Sequence, residues 1–308
     1  MKKLLKCEYA WWFGYIRKLV KRQWKIEFEV GDAFQLGVYH LMDKMPLEEV
    51  LVIVNKFIDK RLKLLRGDFS MSTKDEQTFI EMKIIIEGML AGYAKRYHRD
   101  FGVERHVGNE VESLVRVSKE SKILIKLDNI LEVNKKWYIH EGKAWRSLNE
   151  YVVENTKNSF QTATYFHGHN MNMENGIDEI VVGNDRKGNP IKIKPKLFSG
   201  IIFDVVMKPS IRIKKGETYR GYLGRLKTYY QGSDASTKFF KEMKKEPMID
   251  RKSWIQTVNE CSFRMGEIRD GRDPVKSYQD CNWCDFYEPC YHGEKREIMG
   301  MYKEKEGR

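Results

Sequence analysis

The sequence predicts an α/β protein with a helical first third, a small sheet in the middle and further helices behind it. Three observations carry this. Apolar residues recur at helical spacing through the first hundred positions. After Gly102 the pattern changes to short runs rich in Val, Ile and Leu, bounded by turn residues. A third kind of run, Gly200 to Met207, is apolar on both alternations, as a strand buried on both faces must be. No internal repeat or low-complexity linker interrupts the chain. The chain divides into a helical region at 1–102, a core at 103–235 and a helical C-terminal region at 236–308, packed as one α/β body.

Taken in order, residues 7–30 open with Cys7-Glu8-Tyr9-Ala10-Trp11-Trp12-Phe13, an aromatic helix face suited to a core. Phe34, Gly37, Val38 and Leu41 predict a short helix over 31–44. Pro46-Leu47-Glu48-Glu49 starts another, with Pro in the first turn and acids at the positive end of the dipole, running to about Leu65. A long helix follows from Ser72 through Tyr97. Val111 to Val117, Ile123 to Val133 and Trp137 to Ile139 are three strands, most simply an antiparallel meander, with Asn134-Lys135-Lys136 as a turn. Residues 146–160 lead into a helix containing Gln161 and Tyr165. A hairpin is expected around Asp185-Arg186-Lys187-Gly188-Asn189, a helix over Glu217 to Tyr230, further helix over 236–269, and a frayed charged tail.

Lys and Arg number 56 against 44 acidic residues in 308, a net charge of +12. Such an excess favours a polyanionic partner, nucleic acid first, and an acidic membrane surface second because no basic amphipathic tail stands out. No apolar run reaches the length of a membrane span. Met1-Lys2-Lys3-Leu4-Leu5-Lys6 lacks the apolar segment of a signal peptide, so a cytoplasmic protein is expected.

Two constellations carry chemistry. In the first, Asp128 interrupts an apolar run and Glu141-Gly142-Lys143 ends the next. Alternation along a strand puts Glu141 and Lys143 on one face. If the two runs pair, Asp128 joins them, giving two carboxylates and an ammonium fit for metal-assisted phosphodiester hydrolysis. The bland alternative is a surface ion pair at a strand end. In the second, Cys281-Asn282-Trp283-Cys284 and Cys290 form a C-x2-C-x5-C set. Three thiols so close are ligand-like, one short of the usual four for zinc or an iron–sulfur cluster. Cys7 and Cys261 both qualify as the fourth, and spacing does not choose between them, nor between the metals.

These residues together resemble the RecB-like branch of the PD-(D/E)xK nuclease superfamily, and in particular phage-encoded and CRISPR-associated members that carry an iron–sulfur cluster. Lys126-Leu127-Asp128 is similar to the family's acidic strand motif, Glu141-Gly142-Lys143 to its E-x-K, and Gln161-Thr162-Ala163-Thr164-Tyr165 to its Q-x-x-x-Y helix motif. The resemblance covers most of the chain. It implies a restriction-endonuclease-like core, a small mixed sheet flanked by helices, with a helical N-terminal region and a C-terminal iron–sulfur segment. It implies a 4Fe-4S cluster on Cys7, Cys281, Cys284 and Cys290, with zinc the alternative, pinning the two ends of the chain together. Gly200-Ile201-Ile202-Phe203-Asp204 is similar to a strand that follows the site in phage members, which makes Asp204 structural. Where relatives have a metal-binding His in an early Gly-x-x-x-His helix, this chain has Gln35, four residues after Gly31, a weaker ligand. His40 lies one turn further on.

The expected activity is therefore that of a Mg- or Mn-dependent deoxyribonuclease, an exonuclease leaving 5′-phosphates. Asp128 and Glu141 would hold the metal with Glu112 as an outer acid, Lys143 would polarise the attacking water, and Gln161 and Tyr165 would orient Lys143 or the phosphate. Lys208, Arg212, Lys214 and Lys215 would track the DNA backbone. The expected partners are single- or double-stranded DNA ends, another copy of the chain, or recombination and processing proteins, in the host cytoplasm if the chain is phage-encoded. The alternative is a silent nuclease fold serving DNA binding or assembly. His106, His140, His167 and His169 are expected at the surface or in supporting roles.

Overall fold

The computed structural model of the chain describes residues 2–21, 26–68, 73–119, 121–184, 189–277, 281, 284–299 and 301–304. Its contacts gather into two units, one of residues 25–115 and 124–249, the other of 1–24, 116–123 and 250–308. These units are sets of contacts and cross the sequence segments divided at 102 and 235.

The first N-terminal elements are short: α1 (Lys2–Lys6), α2 (Glu8–Trp11), a π turn over Trp12–Ile16 and β1 (Leu19–Lys21). The single aromatic helix expected over 7–30 is thus corrected. Lys18 takes a positive φ of 50°, which no helix interior tolerates, and the chain turns there into a strand. Then follow α3 (Ile26–Met42), longer at its start than the short helix expected over 31–44, and α4 (Leu47–Asp68) and α5 (Thr73–Tyr97), the helices that the sequence predicts.

Five strands make the larger unit's mixed sheet: β2 (Glu104–Arg116), β3 (Lys122–Val133), β4 (Lys136–Trp145), and, after intervening helices, β7 (Phe198–Met207) and β8 (Phe239–Lys244), in the order β2-β3-β4-β7-β8. β3 and β4 are antiparallel, joined through Asn134 and Lys135, both at positive φ (51° and 66°), the backbone of a tight hairpin whose twist suits the strands. β4 and β7 are parallel, with Glu141 opposite Phe203 and Lys143 opposite Val205. Ile201 to Val206 are all buried, so β7 is an interior strand between β4 and β8, as its double apolar alternation requires.

Between β4 and β7 lie α6 (Glu150–Lys157), α7 (Phe160–Glu174) and the hairpin of β5 (Ile180–Asn184) and β6 (Pro190–Ile193). The expected single helix leading into Gln161 is two, because Ser159 takes an extended conformation and its side chain caps α7 through the Gln161 N–H. The hairpin's strands pair as expected, while its tip, 185–188, lies outside the described residues. After β7 come α8 (Tyr219–Gln231) and then β8, where helix was expected. Its charged residues, Lys241, Glu242 and Lys244, suit an edge strand as well as a helix. α9 (Arg251–Arg269), α10 (Tyr287–His292), α11 (Arg296–Met299) and β9 (Tyr302–Glu304) complete the chain.

In the smaller unit the two ends of the chain interlock. β1 pairs antiparallel with β9, Arg17 meets Glu294 at 2.7 Å, and Glu8 accepts from Arg272 and from the Val275 N–H. Phe13, Leu19, Phe286 and Tyr302 form a buried cluster with Phe13 stacked on Phe286. The tail expected to fray includes β9, through Glu304, and residues 305–308, which lie outside the described residues. Among the described residues no helix is long and apolar enough to cross a membrane.

β7 and β8 approach closely at Gly200, where an added Cβ would lie 2.3 Å from the Lys244 carbonyl oxygen. Gly200→Ala is therefore expected to lower stability by about 1–3 kcal/mol through displacement of the edge strand. Gly224, inside α8 with open space around it, is expected to gain about 1 kcal/mol as Ala. Urea unfolding midpoints of the two variants should move in opposite directions.

Candidate active site

Sheet alternation sorts the functional side chains. Glu141 and Lys143 share one face of β4, while His140 faces the other side, where it meets Asp204 of β7. Asp128 sits two residues before Ile130, the first β3 residue in register with β4 (opposite Ile139). α7 brings Gln161 and Tyr165 to the same place, one helical turn apart.

Glu141 is 1% exposed, and its Oε1 lies 2.7 Å from the Lys143 ammonium. Lys143 Nζ is 3.7 Å from Asp128 Oδ2, and Lys143 and Asp128 both keep about 30% of their side chains in solvent. Burial pushes the Glu141 pKa up, because a carboxylate loses its water there, and Lys143 only partly offsets this. Burial works against the Lys143 charge too, but Glu141 and Asp128 outweigh it and hold its pKa above the ordinary lysine value. Tyr165 donates toward Asp128 and accepts from Gln161 Nε2 at 2.6 Å. Its pKa is raised by burial first and then by the Asp128 charge, so the phenol keeps its proton.

Two buried polar atoms here have no hydrogen-bond partner: Glu141 Oε2 and Gln35 Nε2. Gln35, on α3, lies on the other face of β4, with His140: a Cβ built at Gly142 would lie 3.2 Å from Gln35 Nε2 and 3.5 Å from the His140 ring. An orphaned carboxylate oxygen and a partly exposed second carboxylate are hard oxygen donors, and they fit Mg or Mn. Glu112 stands apart. It is exposed on β2, and no contact among the described residues ties it to Asp128 or Glu141.

The opposite face of β4 holds a buried network that the sequence reading underrated. Asn129, His140 and Asp204 are all buried. His140 Nδ1 lies 3.2 Å from the Asn129 amide nitrogen and Nε2 lies 3.2 Å from Asp204 Oδ2. Nδ1 must then accept, and Nε2 carries the hydrogen donated to Asp204. Tyr93 of α5 also donates to Asp204. Lys241 closes the group through Glu104 and Asp100 at 2.7 and 3.0 Å. Asp204 is thus on the far face from Glu141, in keeping with a structural role. Its one legible sign was an acid inside an otherwise apolar run, which demands a buried partner. Of the histidines expected at the surface or in supporting roles, His140, His167 and His169 are buried, which rules out the surface for these three. His167 and His169 bond the Ile249 and Lys196 carbonyls at 2.8 and 2.9 Å.

The basic segment 208–215 leaves β7 at the end of the sheet that carries Lys143, because Met207 is opposite Trp145, two residues past Lys143. Arg212, Lys214 and Lys215 are exposed and Lys208 is partly so. Glu217 anchors the turn by pairing with Arg225 and accepting from the Lys214 N–H, which draws its pKa down to about 2.

In the smaller unit, Cys7 precedes α2, and Cys284 and Cys290 pack against the Phe13–Phe286 cluster. The pKa values of Cys284 and Cys290 are raised, by burial first, and the charges of Cys7 and Cys281 push both in the same direction. These four thiols therefore share one neighbourhood. Cys261 lies elsewhere, packed with Leu4, Trp11 and Ile268. No disulfide joins any of the five. As the side chains stand, no three His, Cys, Asp or Glu groups among the described residues are gathered tightly enough to hold an ion. Soft thiols in this number fit an iron–sulfur cluster or zinc, and binding would release their protons.

Two outcomes follow from this geometry. Asp204→Ala strands the His140 N–H and the Tyr93 hydroxyl in the interior, and denaturant titration should show a loss of about 3 kcal/mol. Cys7→Ser is expected to lower the bound metal measured by elemental analysis, while Cys261→Ala leaves it unchanged.

Protein-family models and curated proteins were both compared with the chain, and none matches it.

Proposed function

We propose that the chain is a metal-dependent DNA nuclease with a PD-(D/E)xK core of the RecB-like kind, hydrolysing phosphodiester bonds to leave 5′-phosphates. One observation carries this reading. Asp128, Glu141, Lys143 and Tyr165, from three separate elements, converge on one point where a buried Glu141 oxygen has no partner. A surface ion pair does not explain a carboxylate that is 1% exposed.

Asp128 and Glu141 would hold Mg or Mn. A cation there supplies Lewis-acid polarisation of the scissile phosphate and stabilises the leaving oxygen. Lys143, kept charged by the two carboxylates, is placed to hold the attacking water by hydrogen bonding and to offset phosphate charge in the transition state. Tyr165, itself held by Gln161, fixes the Asp128 carboxylate. The His140–Asp204–Tyr93 network locks β4 from behind, so Glu141 and the Gly142 backbone keep their direction. The exposed cations of 208–215 supply sequence-independent contact with a DNA backbone, and DNA ends are the proposed substrate. The four clustered thiols are proposed to hold a 4Fe-4S cluster in a structural role, with zinc the alternative.

Gln35 favours a second reading, a nuclease fold that binds DNA without cutting it. End-labelled single- and double-stranded DNA incubated with Mg or Mn separates the two. Cleavage is expected to yield 5′-phosphates and to vanish in Lys143→Ala; cleavage surviving that change contradicts the assignment. Binding without cleavage selects the second reading. Tyr165→Phe, which removes the hydrogen bond to Asp128, is expected to slow cleavage by about ten- to a hundredfold. Broad absorbance near ~400 nm after anaerobic purification supports the cluster, and equimolar zinc without iron replaces it.

A further inference from the structure

Beside the site, within the larger unit, a cleft of about 640 Å³ opens between the end of α3, the start of β2 and the β5–β6 hairpin. That volume suits a small organic ligand rather than a bare ion. The cleft begins one side chain from the catalytic acid: Tyr39 lines it, and the Tyr39 hydroxyl donates to the Asp128 main-chain carbonyl at 3.1 Å. His106 lies flat against Tyr39, with ring centroids 5.7 Å apart and planes 7° apart. Its Nδ1 is 3.2 Å from Asp43 Oδ1, and its Nε2 is buried with no partner. With Asp43 taking the Nδ1 hydrogen, Nε2 of the neutral ring is left as an acceptor that nothing in the protein uses.

The lining is divided by chemistry. Arg105, Lys194 and Lys196 outnumber the carboxylates of Glu132 and Asp43, a surplus of positive charge. Glu132 holds Arg105 and Lys196 at 3.1 and 2.7 Å, which positions those two cations, and Lys194 is exposed. Ile191 and Ile193 of the hairpin add an apolar wall. A group with an anionic end, a flat apolar body and N–H donors at its edge matches all three features.

We propose that this cleft takes one nucleotide of the DNA strand next to the scissile phosphate. Its phosphate lies with Arg105, Lys194 and Lys196, its base lies along the Ile191–Ile193 wall, and a base N–H donates to His106 Nε2. This inference rests on the nuclease reading for the identity of the strand. It makes the cleft a positioning device that holds the strand in register with Asp128 and Glu141.

The test is binding to the full-length protein in EDTA, where no divalent cation supports cleavage. The probes are 5′-phosphorylated tetrathymidylate with a fluorescent 3′ label, followed by anisotropy, and thymidine 5′-monophosphate, followed by calorimetry. His106→Phe keeps the ring beside Tyr39 and removes both nitrogens; Lys194→Glu reverses an exposed charge without touching the core. Both are expected to weaken the tetranucleotide by about fivefold or more relative to the parent. Equal tetranucleotide binding by parent and variants overturns the proposal, as does an effect confined to the mononucleotide, which would mark a free-nucleotide site. The two readings fail separately. Cleft-dependent binding by a protein that never cuts DNA sinks hydrolysis alone, and cleavage with cleft-independent binding sinks the cleft alone.

Discussion

The structure depends on the contact between Glu141 and Lys143. An ionised carboxylate nearly out of reach of water is costly unless its charge is met, and Lys143 meets only one of its two oxygens. Much of the fold can be understood as the means of keeping that carboxylate in place. β4 is held on one side by the hairpin to β3 and on the other by the parallel register with β7, whose residues 201–206 are wholly buried. The face behind Glu141 is filled by His140, which donates to Asp204 and accepts from Asn129, and these bonds prevent a slip of one residue. Such a slip would exchange Glu141 for its neighbours and abolish the site. The rigidity of the strand and the chemistry proposed for it thus have one cause.

The smaller unit meets a different constraint. Apart from α9 its elements are short, and it relies on contacts between N-terminal and C-terminal segments: β1 with β9, Glu8 with Arg272, Phe13 with Phe286. The four thiols lie in this same region, so a cluster bound there would reinforce a joint that the aromatic packing already makes. Cys261, in a separate apolar cluster, behaves as a small hydrophobe.

How much of this was legible follows from the range of the interactions. Helices with strong apolar spacing and the double-apolar strand 198–207 could be read locally, and so could Asp128, Glu141-Gly142-Lys143, Gln161 and Tyr165, because each motif is short. β8 was misread because an edge strand carries the same Lys and Glu residues that favour a helix, and its identity comes only from pairing with β7. Which of the histidines would be buried was illegible for the same reason. His140 finds Asp204 64 residues away and His167 finds Ile249 82 residues away, and no local pattern announces such partners. Gln35 was noted in the sequence as a departure from the family pattern, but its place against Gly142 is a fact of helix packing alone. Glu112 was included because it precedes Asp128 by one strand, yet strand neighbours in sequence need not share a site.

The most direct test of the central claim is calorimetric titration of Mn into metal-free protein, comparing the parent with Glu141→Gln. The account predicts a divalent site in the parent that the substitution removes, since it neutralises the buried carboxylate whose free oxygen awaits the ion. A parent that binds no Mn, or a Glu141→Gln variant that binds it equally well, would contradict it.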